Sequence, residues 1–109
     1  MKIKKKAIKL HIDDNVATSI NNLQCEDIVE ISDATNNISA VIVKDNIPFG
    51  HKFSTKNILK NESIIKYGEI IGKATQNIKI GQHVHTHNVE GNRGRGDLWI
   101  KRRLDSTKT

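Results

Sequence analysis

Nowhere in this sequence do apolar residues hold helical spacing for more than two or three turns, which confines the chain to short strands joined by turns. The apolar side chains are chiefly Ile and Val, whose branched Cβ suits a pleated, half-buried surface better than a helix. Strands are expected at Ala7 to Ile12, Asn15 to Ile20, Asp27 to Ser32, Ile38 to Val43, Ser63 to Tyr67, Ile70 to Thr75 and His83 to Val89. The cluster Asp33-Ala34-Thr35-Asn36-Asn37 reads as a hairpin connection, because Asx side chains bond nearby backbone groups. Ile47-Pro48-Phe49-Gly50 reads as a loop, and Tyr67-Gly68-Glu69 as a turn between strands. At 109 residues the chain is long enough for one modest core, and the fold class expected is mainly β.

One pattern recurs along the chain. Asn57-Ile58-Leu59-Lys60-Asn61-Glu62-Ser63-Ile64 and Asn77-Ile78-Lys79-Ile80-Gly81-Gln82-His83-Val84 each open on Asn-Ile and place an apolar residue seven positions after the Asn. Asn22-Leu23-Gln24-Cys25-Glu26-Asp27-Ile28 is a version one residue shorter. Asn61 and Gly81 fall where a positive φ would be useful, and both residue types tolerate it. The physical expectation is a short helical turn, a left-handed residue and entry into a strand.

The formal net charge is +6, and much of the excess sits at the two ends, in Lys2 to Lys9 and in Arg93, Arg95, Lys101, Arg102 and Arg103. A nucleic-acid binder gathers its basic residues on a face and interleaves aromatics; here the middle is nearly balanced and aromatic-poor, so nucleic acid is disfavoured as a partner. An anionic substrate or an acidic partner surface accounts for the same charge. Cys25 is the one cysteine, which excludes an internal disulfide and a multi-cysteine zinc site. Met1 leads into a charged segment with no signal-like or membrane-spanning apolar run, so the expected compartment is the cytoplasm, with no membrane partner. From Glu90 the character changes: Glu90-Gly91-Asn92-Arg93-Gly94-Arg95-Gly96-Asp97 has three glycines and no apolar residue. The division expected is a β domain over 1–90 and a flexible Gly/Arg-rich tail over 91–109.

The segment with most chemistry is His83-Val84-His85-Thr86-His87-Asn88. On a strand, alternate side chains share a face, so His83, His85 and His87 would point one way. Neighbours in that series would lie roughly 6.7 Å apart at Cα, close enough for two imidazoles to converge on one ion. The outer pair, twice as far apart, would need a bulge to do so. Further ligands would come from His51, His11 or a partner's carboxylate. Equally, the rings could be ordinary surface or core histidines satisfied by backbone groups. Gly50-His51-Lys52 adds a flexible residue, an imidazole and a point charge suited to a carboxylate. Asp13-Asp14-Asn15 is either a polar turn ending the first strand or a lining of a polar site.

Leu10-His11 with Asp14-Asn15-Val16-Ala17, Ile47-Pro48-Phe49-Gly50-His51-Lys52, Ile65-Lys66-Tyr67-Gly68-Glu69 with Ile71-Gly72, and Val84-His85-Thr86-His87-Asn88 occur in an order that resembles the altronate/galactarate dehydratase family. They are similar to its N-terminal SAF-type domain, a β-clip module also found in sialic-acid synthases and antifreeze proteins. The resemblance runs from about residue 7 to residue 97, and includes Arg93-Gly94-Arg95-Gly96-Asp97. It implies a β-clip fold and membership in a lyase that removes water from a sugar acid to give a 2-keto-3-deoxy acid. The implied cofactor is a divalent metal, Fe2+ first, with Mn2+, Zn2+ or Mg2+ as alternatives. In long members a much larger catalytic domain follows, so a small subunit with a separately encoded large catalytic subunit is implied, and an isolated chain without activity; self-association into a homo-oligomer stays an option. Carried over to this sequence, the resemblance points to His51, Lys52, His85 and His87 as catalytic residues, to Lys52 and Asn88 as substrate contacts, and to His85, His87 and His51 as metal ligands. The related small subunit of sulfolactate sulfo-lyase, which eliminates sulfite, has similar motifs, and a non-catalytic sugar-acid-binding module is the third reading. His83 stands outside the matched motif, and Asn61 occupies a place where the family commonly has Gly.

Overall fold

The computed structural model describes residues 5–91, and within them the chain is built from nine strands and no helix. They are β1 (Lys5–Lys9), β2 (Val16–Ser19), β3 (Ile28–Asp33), β4 (Ile38–Ile42), β5 (Lys52–Ser54), β6 (Ser63–Lys66), β7 (Glu69–Ala74), β8 (His83–Val84) and β9 (Val89–Gly91). A six-stranded sheet runs β4-β3-β1-β2-β5-β8, and a three-stranded sheet runs β6-β7-β9. β1 pairs parallel with β3; every other pairing is antiparallel.

Four Asn-led units hold the sheets together. The three read from the sequence are joined by a fourth, Asn46-Ile47-Pro48-Phe49-Gly50-His51, and the four associate in pairs. Leu23 and Ile47 exchange backbone hydrogen bonds of 2.8 Å, as Ile58 and Ile78 do at 2.7 Å. Each Asn side-chain oxygen accepts from the backbone of the unit opposite: Asn22 from Phe49, Asn46 from Cys25, Asn57 from Ile80 and Asn77 from Lys60, at 2.8–3.0 Å. Four residues after each Asn comes a positive φ: Glu26 (76°), Gly50 (83°), Asn61 (77°) and Gly81 (91°). The expected left-handed residues at Asn61 and Gly81 are therefore present. The expected helical turns are instead single i→i+3 turns, closed by Asp27 N–H to Gln24 O, His51 N–H to Pro48 O, Glu62 N–H to Leu59 O and Gln82 N–H to Lys79 O. A positive φ at the third position makes them type II turns, which cannot extend into a helix.

Two small cores result. One joins Ala7, Ala17, Leu23, Val29, Ile31, Val43, Ile47 and Phe53; the other joins Val16, Ile58, Ile64, Ala74, Ile78 and Val84. β2 lies between them, Val16 facing one core and Ala17 the other. The Asn-led units contribute their first apolar residue to a core each time, as Leu23, Ile47, Ile58 and Ile78, all with 2% exposure or less. Each such burial stabilises the fold by about 1.5–3 kcal/mol, so the repeat supplies hydrophobic anchors as well as turns.

Asp14, expected only as part of a polar turn or lining, is 1% exposed. Its carboxylate accepts from the backbone N–H groups of Tyr67 (3.1 Å) and Gly68 (2.8 Å). These form the two-residue connection of the β6–β7 hairpin, both with positive φ, where a turn matches the strand twist. Asn15 bonds β6 as well, through Ser63 O and Ile65 N–H. The segment ending β1 thus ties the second sheet to the first.

Three strand expectations are corrected. β1 spans Lys5–Lys9 and not Ala7 to Ile12, because its start is set by pairing with β3 from Lys5 opposite Val29. Lys52–Ser54, read only as a constellation after a loop, is a strand between β2 and β8. The strand expected over His83 to Val89 is two strands, β8 and β9, separated by a turn at His85–Asn88. The basic tail from Asn92 to Thr109 lies outside the described residues, as do Met1 to Lys4.

Candidate active site: a histidine cluster beside Lys52

The turn that divides β8 from β9 is fixed by Asn88. Its buried amide accepts from His85 N–H (3.0 Å) and donates to His83 O (2.8 Å), while its backbone N–H reaches His85 O (3.1 Å). Asn88, which the resemblance implies as a substrate contact, is only 2% exposed, and its side chain bonds the backbone and shapes the histidine segment.

β5 and β8 pair antiparallel, Lys52 opposite Val84 and Phe53 opposite His83. Extending that register by one residue sets His51 opposite His85, and their rings stack with centroids 4.5 Å apart at 7°. His83 stacks on both, 5.1 Å from His51 and 5.4 Å from His85. The Asn88 turn folds the chain back, so His87 comes 5.3 Å from His83. That outer pair could not have met on a continuous strand. Bending the chain, and not alternation alone, gathers the four imidazoles. His83, outside the matched motif, is central: its Nε2 lies 2.9 Å from His51 Nδ1, within hydrogen-bond distance, the tautomers deciding which ring donates.

Two other expected members need placing. Lys52, half-buried, lies close enough to affect His85 electrostatically and is itself influenced by Lys66, a neighbour not anticipated from the sequence. His11 is elsewhere: its ring packs against Gly68, and its Nδ1 accepts from Asp13 N–H at 3.1 Å.

Burial, reinforced by the neighbouring His51, His87 and His85, lowers the His83 pKa to about 4. Desolvation, then His51, Lys52 and His87, also lowers that of His85. Both rings are thus neutral near pH 7 and keep a nitrogen lone pair for a proton or a ligand. Desolvation, then Lys66, lowers the Lys52 pKa. An ammonium beside a second ammonium gains from an arriving carboxylate, which relieves both its desolvation and its like-charge repulsion.

A metal ion is a separate question. Among the described residues no group of three or more His, Cys, Asp or Glu is placed to hold one. The stacking gives the reason: imidazole lone pairs lie in the ring plane, so nearly parallel rings aim them side by side and not at one point. The donor type suits Fe2+ or Zn2+, but the donor arrangement within this chain does not make a site.

Residues 5–92 match the altronate/galactarate dehydratase SAF domain family. This chain belongs to that family. The SAF-domain chain is 39% identical over 88 residues to the altronate dehydratase of Bacillus subtilis, covering 81% of itself and 17% of that relative. Against the altronate dehydratase of Escherichia coli the figures are 36% over 85 residues, 78% and 16%. The (2R)-sulfolactate sulfo-lyase subunit alpha of Chromohalobacter salexigens is 47% identical over 51 residues, covering 47% of this chain and 54% of that subunit. The SAF-domain chain therefore spans less than a fifth of the dehydratases it resembles, and about half of the sulfo-lyase subunit. The name of the last relative makes it one part of a multi-subunit lyase. No helix among the described residues is long and apolar enough to cross a membrane.

Proposed function

We propose that this SAF-domain chain is the small subunit of a sugar-acid dehydratase of the altronate/galactarate type, working in the cytoplasm with a separately encoded large catalytic subunit. The observation that carries the reading is the hydrogen-bonded His51–His83 pair, with His85 stacked against His51, next to the half-buried Lys52. It offers a neutral base and a cation within one small area, which is what elimination from a 2,3-dihydroxy carboxylate requires. The proton next to the carboxylate leaves to a base, and its electron pair expels the C3 hydroxyl. An acid protonates that hydroxyl so that water departs, and the resulting enol tautomerises to the 2-keto-3-deoxy acid. Lys52 anchors the carboxylate and stabilises the charge that builds on it. His51, hydrogen-bonded to His83, acts as the acid–base group, while His85 and His87 contact the substrate from the exposed side.

A divalent ion, Fe2+ first, would enter this reading only at the junction of the two chains: His85, His87 and His51 would have to turn out of their stack to lend imidazole nitrogens, and the large subunit would complete the shell. Equilibrium dialysis of the assembled enzyme tests that part. The His85→Ala/His87→Ala variant is expected to lose bound metal, and wild-type metal content in it would remove the ligand assignment.

Elimination of sulfite in place of water is the second reading. It is favoured by the match to the sulfo-lyase subunits, of which this chain covers 54% and 75%, against 17% of a dehydratase. Both readings are tested by purifying the chain with its native partner and assaying altronate, galactarate and sulfolactate. Turnover of one of them, with KM raised in Lys52→Ala, is the expected result. An active complex in which Lys52→Ala leaves both KM and kcat unchanged would refute the anchor. A chain that binds sugar acids with no partner and no turnover would make it a non-catalytic module.

A further inference from the structure

Strand β4 ends the six-stranded sheet, and its sequence Ile38-Ser39-Ala40-Val41-Ile42 carries neither charge nor proline, the usual guards of an open edge. Hydrogen bonds beyond the two ends of its ladder fix which backbone groups face outward. Val43 N–H donates to Asp27 O and Asp33 N–H to Asn37 O, both at 3.0 Å. Hydrogen-bonded pairs alternate in an antiparallel ladder, so Ser39 and Val41 turn their N–H and C=O toward β3. Ile38, Ala40 and Ile42 turn theirs away from it. At Ile42 the outer side is closed by the Gly81 turn, which packs against Ile42 O and accepts from Lys44 N–H at 2.8 Å. At Ile38 and Ala40 no hydrogen bond closes it among the described residues.

An open groove of about 640 Å³ runs along β4 and over the face that this strand shares with β3 and β1. Ile31 and Val41 line it from the core side, with Ile80 across from the strand. Its charged lining residues are Lys9, Lys44 and Lys56, and no acidic side chain contributes. Of these, Lys44 forms an exposed ion pair with Glu26 at 3.5 Å, an interaction weak enough to be exchanged for another carboxylate.

We propose that this groove receives a short, extended, acidic segment of the large catalytic chain, which adds to β4 as a further strand. The pairing would give the outward groups of Ile38 and Ala40 hydrogen-bond partners, while side chains reaching over the face bring carboxylates to the lysines and an apolar residue onto half-buried Val41. Charge selects this occupant over the others available. The chain's own termini carry Lys2 and Lys4 at one end and Arg93, Arg95, Lys101, Arg102 and Arg103 at the other, the wrong sign for the groove. A second copy of β4 is uncharged and brings its own Lys44. The inference rests on the reading that a second polypeptide completes the enzyme.

The test is backbone amide hydrogen exchange on the full chain, alone and in the complex purified with its partner, combined with Ala40→Pro and Lys44→Glu/Lys56→Glu variants. Proline removes an outward N–H on an edge strand and leaves the β3–β4 ladder intact, so the fold is expected to persist; circular dichroism verifies it. Expected are slowing of exchange at Ile38 and Ala40 on complex formation by about a hundredfold and weakening of the complex by at least about tenfold in each variant. The Lys44→Glu/Lys56→Glu variant does not depend on the proline and stands if that chain misfolds. An active complex in which those amides exchange as in the free chain overturns the proposal while leaving the two-chain reading intact. Failure of any second chain to assemble with this one overturns both. Protection already present in the free chain overturns it too, by assigning the edge to a second copy when it depends on concentration and to the chain's own termini when it does not.

Discussion

Replacing Gly81 by alanine isolates how the turns support the histidine site. Gly81 has φ +91°, and an added Cβ would come 2.4 Å from Ile42 O, with Val43 Cα and Lys44 N at 3.2 and 3.3 Å. All three are backbone atoms, so relief requires moving the end of β4 or the turn itself. The left-handed conformation alone costs an L-residue about 1–2 kcal/mol. Overcrowding of packed atoms adds about 1–3 kcal/mol, and the stiffer unfolded chain returns about 0.4–1 kcal/mol. The net expectation is a loss of about 2–4 kcal/mol. Gly50 supplies an internal control: it occupies the same place in its unit, with φ +83°, and an added Cβ there meets no atom within 4 Å. Gly50→Ala should therefore cost only the conformational part, about 1 kcal/mol. In a domain of this size the difference between the two variants corresponds to about 10 °C in Tm. Thermal unfolding followed by circular dichroism measures it. Because Gly81 N–H bonds Ser54 O at 2.8 Å and its turn leads into β8, Gly81→Ala should also disturb the His51–His83 contact, visible in the imidazole nitrogen NMR signals. Equal Tm values for the two variants would refute the steric argument.

Two further outcomes follow from the site and its support. The His83 pKa lies near 4 in the folded chain against an ordinary 6.5, through burial first and then neighbouring imidazolium charge. Between those two values the unfolded chain takes up a proton that the folded chain refuses. His83 therefore contributes stability above pH 6.5 that is lost progressively as pH falls toward 4. Urea titrations across this range should show a shallower acid decline in His83→Gln than in wild type; identical slopes would argue against a His83 held neutral. Asp14→Ala removes the acceptor of two turn N–H groups and should cost about 1–3 kcal/mol in denaturant unfolding. A loss below about 0.5 kcal/mol would mean water replaces the carboxylate without penalty.

The dehydratases this chain resembles are long, the chain covering 17% of one of them, and the proposed two-chain enzyme calls for surfaces that meet a partner. The histidine cluster and the β4 edge involve different strands, β5 and β8 against β4, so a partner could complete a site at one place and be held at the other. Separate contacts of this kind add effective concentration: the second forms within an already assembled complex. The two proposals thus assign chemistry to one set of residues and recruitment to another, and the variants above separate the two.

Much was legible in the sequence for a local reason. β-branched residues without helical periodicity dictated short strands, and most strand positions followed from where turn-forming residues interrupt them. The Asn-Ile units carried their turn geometry, because a left-handed residue four positions after the Asn is a requirement of adjacent backbone, whereas the Asn oxygen bonds the unit opposite. Alternating histidines announced a candidate site in the same way. What the sequence left undetermined depends on residues far apart along the chain. The fourth unit at Asn46 reads as an ordinary Pro-Gly loop until Leu23 is seen paired with Ile47. Asp14 reads as turn polarity until its carboxylate is found under residues 67 and 68. Spacing set His83 and His87 too far apart to meet, and the Asn88 turn brought their rings together. Local propensity can decide strand, turn and handedness because those are settled between neighbours; which ring faces which, and which strand edge stays open, are settled only when distant segments close on a common core.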